Sequence, residues 1–242
     1  MTELIRLEGI KKQYLLGRSE VTALRDVSIE FGRGEFTAIA GPSGSGKTTL
    51  LNIIGCIDKP DSGRVIIEGH DVTATPLAAL ASLRRRRLGF IFQGFNLIEV
   101  LTAHENIEYP LWLAGWPAER RRERVNELLM RVRIESHRGH RPRELSGGQR
   151  QRVAIARALA GGPIAVLADE PTANLDSQTS EEVLSLMQEL NLEQGTTFIF
   201  STHDPRIIGK ANRVVWLKDG AIDESLDISP MRRPAPADCV TA

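Results

Sequence analysis

Gly41-Pro42-Ser43-Gly44-Ser45-Gly46-Lys47-Thr48-Thr49 follows the apolar run Phe36-Thr37-Ala38-Ile39-Ala40 and opens a helix-like stretch from Lys47 to Ile57. Strand, glycine-rich loop and helix in this order fit the phosphate-cradling P-loop pattern. Its glycines let backbone N–H groups converge on phosphate oxygens, and the helix N-terminus favours an anion. Lys47 is expected to reach the β- and γ-phosphates, and the Thr48 hydroxyl to bind Mg²⁺. Gly41, Ser43, Gly44, Ser45, Gly46, Lys47, Thr48 and Thr49 are therefore the candidate nucleotide contacts. A chance glycine-rich turn is the bland alternative, and placement between a β run and a helix argues against it.

Working outward, Ile164 to Ala168 is an apolar strand that ends in two carboxylates, Asp169 and Glu170. After a P-loop, Asp169 is expected to hold Mg²⁺ through water. Glu170, pointing to the other side, is expected to polarise the attacking water as general base. Alone the pair would read as a strand-end charge cluster. His203 follows the β run Thr196 to Ser201, where it could sense the γ-phosphate and position water; a hydrogen-bonded loop histidine is the other reading. Gln93, at the end of Gly89-Phe90-Ile91-Phe92, is a strand-end amide that could touch Mg²⁺ and the water. Leu145-Ser146-Gly147-Gly148-Gln149 has no part to play in the P-loop itself. Two glycines and a serine at a helix start make an anion site of their own, which implies a second phosphate contact and hence a dimer. An N-capped helix is the alternative.

The 242 residues are long enough for one α/β domain with a sizeable core. Lysine plus arginine number 31 and aspartate plus glutamate number 31, so no basic excess marks a dedicated nucleic-acid binder. Cys56 and Cys239 lack metal spacing and read as two free thiols in a reducing compartment. The start shows no secretory leader, and no run approaches the ~20 apolar residues of a membrane span. Action at a membrane would therefore need a partner.

Strands are expected over 4–10, 21–31, 36–40, 63–68, 88–92, 164–168, 196–201 and 213–217, and helices over 47–57, 118–133, 147–160 and 177–192. This alternation predicts a mainly parallel α/β sheet with an N-terminal antiparallel β part. The expected organisation is one domain: 1–94 and 163–224 form the nucleotide-binding core, 95–162 an inserted helical subdomain, and 225–242 a disordered Pro-rich tail. The arginine runs Arg84–Arg87 and Arg120–Arg122 with Arg124 read as solvated faces, or as contacts for anionic lipid heads or an acidic permease loop.

Over residues 3–223 the chain resembles the ATPase subunits of ABC transporters. The matching residues are the P-loop at 41–49, Gln93, the Leu145–Gln149 signature, Asp169-Glu170, Asn174-Leu175-Asp176 and His203. The resemblance implies ATP and Mg²⁺ as cofactors and a head-to-tail homodimer. Each P-loop would face Ser146, Gly147, Gly148 and Gln149 of the other chain, and Asp176 would line the seam. It also implies that Tyr14 stacks on adenine; a core or surface tyrosine is the alternative. Leu51–Asp58, Gly94–Ile98, Leu101–Asn106 and Leu167–Asp176 resemble the macrolide-exporter and lipoprotein-releasing branch more closely, although Ala173 stands where that branch usually has glycine. That branch implies a cytoplasmic subunit on the inner face of the membrane. Its partner would be a permease with few membrane helices and a large extracytoplasmic domain, and the work would be mechanical transmission for export or lipoprotein release. Two other readings stand beside it: a soluble ABC ATPase acting on nucleic acid or ribosomes, and a regulatory nucleotide-binding subunit that hardly hydrolyses.

Overall fold

The computed structural model describes residues 3–17, 19–223 and 225, so the tail after Ser225, with Cys239, lies outside the described residues. The chain opens with an antiparallel hairpin, β1 (Glu3–Leu16) and β2 (Ser19–Gly32), turned at Gly17. β4 (Ser62–Ile67) and β5 (His70–Asp71) complete a four-stranded sheet in the order β2-β1-β4-β5. The hairpin is longer than the expected 4–10 and 21–31. Register shifts along β1 and β2, with Asp26 at φ 87°, let the ribbon bend and keep pairing past the point where its apolar alternation fades.

The second sheet is the centre of the molecule. Its order is β10-β9-β3-β8-β7-β6, comprising β3 (Phe36–Ala40), β6 (Leu88–Ile91), β7 (Ala165–Asp169), β8 (Thr197–Thr202), β9 (Arg213–Lys218) and β10 (Ala221–Ile222). Every pairing is parallel except that of the short β10 with β9. A parallel sheet is covered on both faces, and alternation along the strands shows how. Phe198 and Phe200 of β8 and Val166 and Ala168 of β7 join one core, with α3 (Ala103–Leu113), α4 (Ala118–Arg131), α5 (Gly147–Leu159) and α6 (Ser177–Gln194). Ile199, Ala165 and Leu167 face the other core, with α1 (Lys47–Ile54) and the antiparallel sheet. Asp169, two residues beyond Leu167, thus falls on the α1 side.

Local chemistry sets the helix ends. α3 starts at Thr102, whose hydroxyl accepts from the Glu105 N–H while the Glu105 carboxylate accepts from the Thr102 N–H. α5 starts with the same device built from Ser146 and Gln149. α6 is capped by Asp176 and stops at Gly195, which takes the left-handed conformation. α1 ends at Ile54, three residues short of expectation, because the chain turns at Gly55 and Cys56, with Cys56 at φ 55°. A short α7 (Pro205–Lys210) follows β8.

α2 (Leu77–Arg87) is a helix that the apolar pattern does not announce, since it buries only Leu80. Its last turn carries Arg84–Arg87, where the helix dipole favours cations. These arginines are not simply bathed in water. Arg84 donates to the carbonyls of Cys56 and Leu77, Arg85 to that of Leu113, and Arg87 pairs with Glu68. In the other run, Arg120 lies over the Trp116 ring, Arg121 bonds Glu108 and the Trp116 carbonyl, and Arg124 holds the last carbonyls of α5. No helix among the described residues is long and apolar enough to cross a membrane.

Candidate nucleotide-binding site

The loop from Gly41 to Gly46 joins β3, the strand between β9 and β8, to the N-terminus of α1. Gly46 takes φ 101°, and a Cβ there would lie 2.4 Å from the Ala23 carbonyl oxygen, so only glycine fits. The Lys47 side chain is buried and curls back over the loop, donating to the carbonyls of Gly41 (2.9 Å) and Pro42 (2.8 Å). It is held in place over the loop as a buried cation bonded to neutral dipoles. Beside it the Thr48 hydroxyl donates to both carboxylate oxygens of Asp169, at 3.1 and 3.2 Å. A hydroxyl and a carboxylate in contact at the foot of a phosphate loop are hard oxygen donors of the kind Mg²⁺ takes alongside phosphate.

Glu170 follows with φ 46°, which turns it off the strand line and away from Asp169. Its N–H donates to the Ser201 carbonyl at 2.9 Å. Its Oε1 lies 2.7 Å from His203 Nδ1, and Thr202 Oγ1 donates to Oε2 at 3.4 Å. The carboxylate is thus oriented from the end of β8, while the His203 ring stays largely exposed. Asp204 fixes the turn beneath. Burial pushes its carboxyl up, but bonds from Arg206 and Thr172 outweigh that and hold it below the usual carboxylate range.

A cleft of about 660 Å³ joins these groups. Pro42, Ser43, Gly44, Gly46, Lys47, Thr48, Thr49, Gln93, Glu170 and His203 line it from one side, and Val21, Thr22 and Ala23 of β2 wall it from the other. Gly41 and Ser45 stand behind the lining as part of the loop, and Asp169 reaches it through Thr48. Tyr14 is absent from the wall. It pairs with Val21 across the hairpin, and its hydroxyl donates to Asp58 Oδ2 at 2.7 Å, with Lys12 on the same carboxylate.

The signature residues stand elsewhere. Ser146, Gly147, Gly148 and Gln149 do not line this cleft. Ser146 is exposed at the start of α5, and the turn packs on the start of α6: a Cβ on Gly148 would meet Thr179 Cγ2 at 2.4 Å. Asp176, the exposed cap of α6, accepts from the Thr179 hydroxyl and N–H, which hold its carboxyl below the usual range. The P-loop cleft and the Ser146 turn are therefore separate places on one chain.

The sequence marks Asn174 and Asn106 only as parts of matching runs, and it does not mark Arg157 as a support. Asn174 donates to the Gln93 carbonyl at 2.7 Å. The Arg157 guanidinium holds the carbonyls of Phe95 and Asn96, both at positive φ. Burial lowers the Arg157 pKa, yet the group stays charged. Asn106 is wholly buried and bonds the backbone of Ile98, Leu101 and Thr102. The Glu105-Asn106 pair after Thr102 is the only sequence signal of this anchoring.

A P-loop on a parallel sheet, backed by two strand-end carboxylates, defines a nucleoside-triphosphate-hydrolysing α/β protein. Residues 24–173 match the family model for ABC transporters, and the chain belongs to that family. An ABC transporter ATP-binding protein of Thermotoga maritima is 48% identical over 223 residues, 92% of this chain and 95% of its own length. The macrolide export ATP-binding/permease protein MacB of Paracoccus denitrificans is 46% identical over 97% of this chain, which spans 34% of that longer protein. A solved ATP-binding cassette from Methanocaldococcus jannaschii, a dimer bound to ADP and Pi after hydrolysis, superposes with a TM-score of 0.86 at 43% identity. It covers 95% of this chain and all of its own. The chain is an ABC ATPase of the macrolide-exporter and lipoprotein-releasing branch.

Proposed function

We infer that two copies of this chain close head to tail around two ATP molecules, and that a separate membrane permease turns that cycle into work. The observation that carries this reading is the split of the site. The P-loop, Thr48–Asp169 and Glu170–His203 share one cleft, while the exposed Ser146 turn of the same chain stands outside it. A second copy supplies what the cleft lacks. Dimeric relatives support the closure, and relatives fused to a permease support the partner.

In this reading Lys47 leaves the Gly41 and Pro42 carbonyls for the β- and γ-phosphates. Thr48, Gln93 and Asp169 would hold Mg²⁺, which neutralises charge on the phosphates when bound. Glu170 takes the proton from the attacking water, and His203 orients Glu170 and faces the γ-phosphate. Ser146, Gly147, Gly148 and Gln149 meet the γ-phosphate of the other copy, with Asp176 at the seam. Tyr14 stacks on the adenine, next to Val21 of the cleft wall. The core of 1–94 and 163–224 and the helical subdomain of 95–162 move as two parts of this cycle.

The subunit sits at the inner face of the membrane, held by a permease with few helices and a large extracytoplasmic domain. The test is capture of tagged Glu170→Gln from native membranes with ATP and Mg²⁺, with mass spectrometry of what binds. Recovery of such a permease is expected. Recovery of soluble proteins or nucleic acid alone would overturn the transporter assignment.

A further inference from the structure

The turn that presents Ser146 is held by a chain of hydrogen bonds whose direction can be fixed atom by atom. The Ser146 N–H can only donate, so the Gln149 atom 2.8 Å from it is the carbonyl oxygen, Oε1. The other end of that amide is then Nε2, a donor, and it lies 3.0 Å from His137 Nε2. His137 Nε2 must accept, so the proton of the neutral ring sits on Nδ1 and donates to Ser136 Oγ at 2.9 Å. The backbone N–H of Gln149 returns to Ser146 Oγ at 3.2 Å. Ser146 and Gln149 thus close one hydrogen-bonded ring at the N-terminus of α5, and His137, backed by Ser136, braces the Gln149 amide from outside.

A protonated His137 removes this brace. Its Nε2–H would meet the Gln149 NH₂, donor against donor. Turning the amide over would satisfy His137 but set the NH₂ against the Ser146 N–H. In the first case the Gln149 amide that holds Ser146 loses its support from His137; in the second Ser146 loses the bond itself. We propose that neutral His137 is a positioning residue for Ser146: through Gln149 it holds the signature turn in shape for the nucleotide of the partner copy, and protonation releases it. This rests on the sandwich reading above.

Other titratable and charged groups surround His137. The ring of His140 packs against it with centroids 5.1 Å apart. Glu135 and Arg138 flank it on its own turn. From α3, His104 donates its backbone N–H to the Arg138 carbonyl, and its ring faces Glu108. At the end of α4, Arg131 pairs with Glu127 and Glu193, and beyond it Arg133 pairs with Glu189. From α5, Arg150 lies over Phe95, and Arg152 bonds the Val132 carbonyl and Glu182.

The experiment measures ATP-dependent dimerisation by sedimentation at about pH 8 and about pH 5.5, which bracket an ordinary histidine. It is done in the Glu170→Gln background, alone and with His137→Gln or Gln149→Glu. Loss of one ordinary hydrogen bond corresponds to about a tenfold change in an equilibrium constant, so the parent should need about tenfold more ATP to dimerise at the lower pH. His137→Gln keeps an acceptor at both pH values, and its ratio should fall well below the parent's. Gln149→Glu gives the ring a carboxylate, which accepts from an Nε2–H and holds imidazolium more strongly than the neutral ring, so its ratio should shrink or invert. His203 and His140 are present in all three proteins. If His137→Gln does not fold, which a thermal melt reads, the Gln149→Glu ratio carries the test alone. Equal ratios in proteins that all dimerise would overturn the role of His137 and leave the sandwich standing. Failure of every protein to dimerise would overturn both.

Discussion

Nδ1 of His203 lies 2.7 Å from Oε1 of Glu170, so the proposed base is aimed by a residue from a different strand end. Because β7 and β8 are neighbours in register, Asp169 opposite Ser201, the contact is built by the sheet rather than by a flexible loop. Replacing His203 with Ala should leave ATP binding near wild type and lower the rate of hydrolysis by about 10²–10⁴-fold, the range for a misplaced general base. Nucleotide affinity and single-turnover hydrolysis, measured together, check this. A loss of affinity with unchanged turnover would place His203 outside the chemistry.

Gly148 is required by packing as much as by the signature. A Cβ there would sit 2.4 Å from Thr179 Cγ2, and the helix start cannot back away without breaking the Asp176–Thr179 cap. Gly148→Ala should destabilise the monomer by about 1–3 kcal/mol, as overpacking does. Adding Thr179→Ser removes the methyl and keeps the hydroxyl that Asp176 binds, so it should recover most of the loss. Thermal denaturation of the two single variants and the double gives the coupling directly. Additive losses would show that the methyl contact is not the cause.

Asp58 gives the fold an acid limit. Burial raises its pKa, but bonds from the Tyr14 hydroxyl, Lys12 and the Lys59 N–H outweigh it and hold the carboxyl below the usual carboxylate range. A depressed carboxylate stabilises the protein above the unfolded pKa and loses that contribution as pH falls through the folded one. Melting temperature should therefore drop below about pH 4, and the drop should be smaller in Asp58→Asn. Identical acid profiles would remove Asp58 from the account.

Cys56 should be inert in the folded state. Burial in apolar surroundings pushes its thiol up to about 11, with Arg84 offsetting part of that. Alkylation depends on the thiolate. In a Cys239→Ser background, labelling near neutral pH should proceed only as fast as unfolding and should speed up sharply in denaturant. Rapid labelling without denaturant would contradict the burial.

What could be read from the sequence was local. β3, the P-loop and α1 are contiguous, and the two strand-end carboxylates follow an unbroken apolar run, so pattern and chemistry coincide. The hairpin outran its pattern because the bulges near Asp26 keep β1 and β2 paired while polar residues take over. α2 was silent because it buries one leucine and is held by arginines bonded to distant carbonyls. The partners of the site supports were silent for the same reason. Asn174 on the Gln93 carbonyl and Arg157 on Phe95 and Asn96 join residues far apart in the chain. Tyr14 shows the limit from the other side: a resemblance implies its role, but its hydroxyl is tied to Asp58, a partner no spacing rule foretells.

In the proposed dimer, Ser146 of one copy completes the site of another. The most direct test is sedimentation of Glu170→Gln, with and without Ser146→Arg, at saturating ATP and Mg²⁺. Glu170→Gln should sediment as a dimer only with nucleotide, and the double variant should bind ATP and remain a monomer. A dimer that survives Ser146→Arg, or a Glu170→Gln protein that stays monomeric when saturated with ATP, would contradict the account.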